Sequence, residues 1–216
     1  DVKYVEHVVE QVQQYPREVL LDRGLPDIPE IDEGDDVATL LVDFMDDEPP
    51  PFVPLVTKLL NSGEAMILGG PPNIGKTWAV MDMMMGISSG SYFANHFSCE
   101  AAPVLFIDEE GSRRGDWERF QMLLAGRDDR SAVEFPVRTK IDSGIRLDDP
   151  KGHVRLARLI ERYKPGAVFL DSLVRVHGGN ESDNRQMAEF FRIVKQLMNT
   201  YATSFTFTHH IRKPAK

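Results

Sequence analysis

The sequence holds one cysteine, Cys99, in 216 residues. A lone thiol excludes a disulfide framework and a cysteine-based zinc site, and it favours a reducing compartment. No run approaches the ~18 apolar residues that a membrane-spanning helix needs. A cytoplasmic location without a membrane partner is therefore expected. An excess of positive charge is also missing: 34 acids against 25 lysines and arginines leave a formal net charge of -9. That excludes a general affinity for polyanions, and any contact with nucleic acid has to come from a local basic surface or from a ring of subunits. What is present is a globular composition, 42% hydrophobic and 27% charged, enough for one substantial domain with a short extension.

Val5, Val8, Val9 and Val12 fall at helical spacing and predict a short helix near the start. Residues 22–36 hold Gly24, Pro26, Pro29, Gly34 and a cluster of acids, a linker composition. Asp36 is placed to cap a second short helix through Met45, with Leu40, Leu41 and Phe44 on one face. Glu48-Pro49-Pro50-Pro51 then forms a stiff, extended break. The domain boundary is placed there, with residues 1–47 as a partly helical extension and 48–216 as the core. Beyond the break, short apolar runs alternate with helical stretches. Strands are predicted at 65–68, 104–107, 167–170 and 204–208, with a weaker one at 133–137. Helices are predicted at 75–88, 113–125, 150–163 and 183–201. Continuous apolar runs suit parallel strands covered on both faces, and the alternation predicts an α/β fold, a mostly parallel central sheet between two helical layers.

Gly70-Pro71-Pro72-Asn73-Ile74-Gly75-Lys76-Thr77 matches the phosphate-loop pattern in full, after a predicted strand and opening a predicted helix. Gly75 lets the backbone approach phosphate oxygens without a Cβ in the way. Amides around Ile74 to Thr77 add to the positive end of the helix. Pro71 and Pro72 have no N–H to give and stiffen the early loop. Lys76 supplies a point charge to the terminal phosphates, and Thr77 a hydroxyl to Mg²⁺. Trp78, next in the chain, is counted with the nucleotide-binding residues. Met81, Met83, Met84 and Met85 in the following helix read as core.

Asp171 ends the run Ala167-Val168-Phe169-Leu170. Open α/β sheets bind ligands at that edge, where this carboxylate either holds Mg²⁺ through a water or caps the next segment. Asp108, Glu109 and Glu110 end another strand. Three adjacent acids there are costly unless a cation is near. One of them would polarise an attacking water, unless the turn is simply solvated.

With these motifs in place, roughly residues 52–216 resemble the RecA-like ATPases, most closely the branch of RepA-type hexameric replicative helicases. The resemblance rests on Gly69 to Thr77, on Val104 to Glu110, on Val168-Phe169-Leu170-Asp171-Ser172-Leu173 and on Phe207-Thr208-His209-His210-Ile211-Arg212-Lys213, in that order. It implies a RecA-like core that binds and hydrolyses ATP with Mg²⁺. Lys76 and Thr77 take the phosphate and magnesium roles, and Asp171 the second magnesium position. Glu110 is the implied catalytic glutamate, with Glu109 the alternative. His209 and His210 look like the pair that reports γ-phosphate occupancy, His210 being the better phosphate-facing candidate. Arg119 falls where the family places an arginine against the adenine ring. Residues 176–181 and 212–216 resemble the loops that contact single-stranded DNA. Such proteins assemble as rings, and they continue past this last strand, so the core is expected to be cut short at its C-terminal end. No arginine finger is assignable, with Arg212 and Lys213 as stand-ins.

Three functions compete at this point: the motor domain of a replicative DNA helicase, a RecA-like strand-binding or recombination protein that uses ATP as a switch, and a small-molecule kinase with Arg113 and Arg114 as lid residues. The last leaves Glu110 and the histidine pair without a place.

Overall fold

The structure, a computed structural model, describes residues 41–48, 51–127, 137–179 and 183–211. The helix predicted at the start of the chain and the basic segment 212–216 lie outside these. The chain divides into two compact units, Asp1–Pro50 and Pro51–Lys216. In the first, the described element is α1, Leu41–Asp46; residues 36–40 of the predicted helix lie outside the described residues.

The second unit is built on a parallel sheet of five strands. A small antiparallel pair, β1 (Pro54–Val56) and β2 (Leu60–Asn61), precedes β3 (Ala65–Gly70) and α2 (Lys76–Ser89). A second pair, β4 (Tyr92–Phe93) and β5 (Phe97–Ser98), leads into β6 (Val104–Asp108) and α3 (Arg113–Ala125). There follow β7 (Val137–Ile141), α4 (Pro150–Tyr163), β8 (Ala167–Asp171), α5 (Leu173–His177), α6 (Asn184–Tyr201) and β9 (Ser204–His210). The sheet order is β3-β9-β8-β6-β7, every neighbouring pair parallel.

Alternation along the strands divides the core in two. Leu105, Ile107, Val168, Leu170, Phe205 and Phe207 pack against Leu156 and Ile160 of α4 and Phe190, Val194 and Leu197 of α6. The intervening residues Val104, Phe106, Ala167 and Phe169 pack against Val80, Met81, Met84 and Ile87 of α2, with Phe120 and Leu123 of α3 alongside. A strand turns successive side chains to opposite faces. The unbroken apolar runs are therefore two interleaved half-patterns, one for each helical layer. This is the three-layer arrangement of a RecA-like P-loop core. The methionines of α2 are buried in it.

Capping sets the helix starts. Asp149 accepts from the Lys151 amide with Pro150 in the first turn of α4, and Asp183 accepts from the Arg185 and Gln186 amides of α6. Of the weak strand expected at 133–137, residues 133–136 lie outside the described ones, and β7 runs over Val137–Ile141. It sits at the sheet edge, where Arg138, Thr139 and Lys140 are exposed, so its sequence carries no apolar run to reveal it. Of the segment expected as a DNA-contacting loop, Val176 and His177 instead end α5, buried at 0% and 1% exposure. Residues 180 and 181 lie outside the described residues.

Candidate nucleotide site

Strand parity decides what reaches the site. Asp108 and Asp171 follow Phe106 and Phe169 by two residues, so they share the α2 face at the C-terminal edge of the sheet. Thr208 and His210 alternate with Phe205 and Phe207, which places them on the same face. Their strands end around a cleft of about 470 Å³ that also takes in Asn73, Gly75, Lys76, Thr77, Trp78, Glu110, Gly111 and Arg119.

The loop from β3 to α2 is turned by two left-handed residues, Asn73 at φ 63° and Gly75 at φ 89°, the kind of backbone from which anion-binding nests are made. Gly75 opens α2 without a side-chain cap, so the amides of the first turn face the cleft mouth. At Gly70 a Cβ would meet the tip of the exposed Ile74 side chain, which can swing aside. Lys76 is 7% exposed. Its ammonium donates to the carbonyls of Gly70 (3.0 Å) and Pro71 (2.8 Å) and to Nδ1 of His210 (3.1 Å). Lysine has only protons to offer, so Nδ1 accepts and Nε2 carries the ring proton. That nitrogen lies 3.1 Å from Oε1 of Glu110. Lys76, His210 and Glu110 thus form one continuous polar chain across the cleft. Burial pushes the Glu110 carboxyl up, but the Ser172 hydroxyl, His210 and Arg175 beside it outweigh this and hold it below its usual range.

Asp171 is a junction. Its Oδ2 accepts from the Thr77 hydroxyl at 2.7 Å, and its Oδ1 from the hydroxyl of Thr208. Thr208 was not foreseen; its signal is parity with His210, two residues on. The donors here are oxygens, which suit Mg²⁺. Among the described residues no group of three or more His, Cys, Asp or Glu is placed to hold an ion. Thr77 and Asp171 therefore fit a magnesium ion that completes its shell with phosphate oxygens and water.

Other expected residues stand apart. Glu109 has the opposite parity to Asp108 and turns away from the cleft. Its carboxylate accepts from the amides of Ser143 (3.2 Å), Gly144 (2.8 Å) and Ile145 (3.2 Å) and from the Ser143 hydroxyl. It pins the turn before α4 and is not placed to be the alternative base. His209 does not line the cleft either; it shares the parity of Phe207, on the α6 side. Pro71 contributes a carbonyl, Pro72 is exposed and Ile74 lies over Gly70.

Asp108 is 1% exposed and lines the cleft. Burial raises its carboxyl from 3.8 to about 7, against the pull of the Gly111 and Glu110 amides and with a further push from Asp116. Arg119 also lines the cleft, its guanidinium fixed to Asp116 at 2.8 Å.

Residues 33–216 match the family model described as AAA domain. No curated protein matches the chain. A phosphate loop, an aspartate at its cation position and a match over most of the length lead to one statement: the chain belongs to the AAA-domain family of P-loop ATPases.

Proposed function

We propose that this chain is the ATP-hydrolysing motor of a RepA-like DNA helicase that acts in replication, working as a ring on single-stranded DNA. The observation that carries the reading is the chain Lys76–His210–Glu110, which joins the phosphate-binding lysine to a carboxylate through an imidazole at the end of β9. On arrival of ATP, the Lys76 ammonium exchanges the carbonyls of Gly70 and Pro71 for phosphate oxygens. Glu110, ionised through its lowered pKa, orients the attacking water and takes its proton. His210 loses or keeps its Lys76 contact according to whether the terminal phosphate is present, and β9 carries that difference to its end. Thr77 and Asp171 would hold a magnesium ion, which would supply charge neutralisation for the phosphates.

The reading includes a ring of subunits. Among the described residues, the cations lining the cleft are Lys76 and Arg119, and a further cation for the developing phosphate charge would come from a neighbouring subunit in this reading. The test is the ATPase rate with and without single-stranded DNA, alongside the mass in solution. A DNA-stimulated rate and a multiple of the chain mass are expected, and Lys76→Ala should lower the rate at least about 100-fold. A DNA-stimulated rate that survives Lys76→Ala would sink the reading. ATP-dependent filaments without duplex unwinding would favour a strand-binding switch.

A further inference from the structure

Asp108 and Asp116 are used by nothing in the hydrolysis scheme, yet both are buried, at 1% and 2% exposure. Oδ1 of Asp108 accepts from the Glu110 amide at 2.8 Å and the Gly111 amide at 2.6 Å. Asp116 stands beside Asp108, where it adds to the push on that carboxyl, and holds Nη1 of Arg119 at 2.8 Å. Gly111 lies between the two acids: a Cβ there would stand 2.1 Å from Oδ2 of Asp108 and 3.1 Å from Oδ1 of Asp116. Oδ2 of each aspartate is fully buried and has no donor among its neighbours.

We propose that Asp108 and Asp116 are positioning residues, a buried carboxyl pair that ties the Arg119 guanidinium to the main chain of the Glu110 loop. The inference rests on the ATPase reading only for its catalytic consequence. Arg119 and Glu110 face the same cleft, so a ligand that draws on the guanidinium pulls, through Asp116 and Asp108, on the two amides that aim the catalytic carboxylate. Gly111 is the hinge of this link, because any side chain there would wedge the acids apart.

The link can be read without catalysis, from the amide cross-peaks of Glu110 and Gly111 in the ¹H–¹⁵N spectrum of the full chain. Arg119→Ala and Asp116→Asn should both move them while leaving those of the β4–β5 hairpin in place. In kinetics, Asp108→Ala should lower kcat about 10- to 100-fold with mant-ADP affinity nearly unchanged. Asp108→Asn keeps an acceptor for the two amides and offers an N–H to Asp116, so it should stay within about threefold of wild type. Glu110 and Gly111 cross-peaks indifferent to Arg119→Ala would overturn the proposal, as would Asp108→Asn as impaired as Asp108→Ala. An inactive wild-type protein would instead refute the ATPase reading, leaving the spectra to decide the link.

Discussion

Glu109 and Glu110 are neighbours with the same side chain and opposite fates. Glu110 meets His210 in the cleft, whereas Glu109 gathers the amides of residues 143–145 on the other side of the sheet. The two glutamine variants should separate cleanly. Glu110→Gln should lower the ATPase rate about 10²- to 10⁴-fold, the usual share of a proton-transfer group, with nucleotide affinity kept. Glu109→Gln keeps the charge-free half of its hydrogen bonds and should leave the rate within a few-fold. Its cost should appear in the thermal midpoint, since charge-assisted bonds to backbone amides are each worth about 1.5–3 kcal/mol. Turnover and melting curves on the two variants decide it; a reversed pattern would show that the catalytic carboxylate is misassigned. Cys99 belongs at this scale too. Burial raises its thiol to about 11, so thiol reagents should find it at pH 8 only after unfolding.

At the scale of elements, the loop and the helix it opens depend on one backbone conformation. Gly75 has open space where a Cβ would go, and its constraint is φ 89° alone. Gly75→Ala should therefore fit sterically yet cost about 1–2 kcal/mol in the left-handed region. The expected result is weakened mant-ADP binding with a modest fall in thermal midpoint, followed by titration and melting. Most elements were legible because hydrophobic periodicity and caps wrote them twice. Asp149 and Asp183 mark α4 and α6, β6 and β8 are apolar runs covered on both faces, and β9 alternates Phe205 and Phe207 with Thr206 and Thr208. The expected strand at 133–137 lies outside the described residues except for Val137, and the rest of β7, an edge strand with Arg138, Thr139 and Lys140 outward, has no such run. α5, five residues long, is too short for a 3.6-residue period to show. The phosphate loop, Asp171 and Glu110 were legible as motifs. Asp108 was legible as a strand-end acid, but Thr208 was not, because its role depends on strands distant in sequence meeting in register, and Asp116 reads as an ordinary first-turn acid of its helix.

For the whole second unit, the sheet is a partition shared by two apolar layers rather than the floor of one. Phe169 fills the layer under α2 and Phe207 the layer under α6, and both are fully buried. Phe169→Ala should lower stability by about 3–5 kcal/mol. Because the same strands serve both layers, the loss should appear in a single cooperative transition, without a surviving α6 layer. Denaturant unfolding followed by both tryptophan fluorescence and circular dichroism tests this. Separate midpoints for the two probes would mean the layers fold independently.

β9 runs between β3 and β8, presenting Phe205 and Phe207 to one layer and Thr208 and His210 to the cleft. A single residue inserted before Phe205 would exchange the two sides at once. His209 would take the place of His210, and Phe207 would come to lie against Asp171, with no hydroxyl to give it. Such a strand accepts frame changes only in twos.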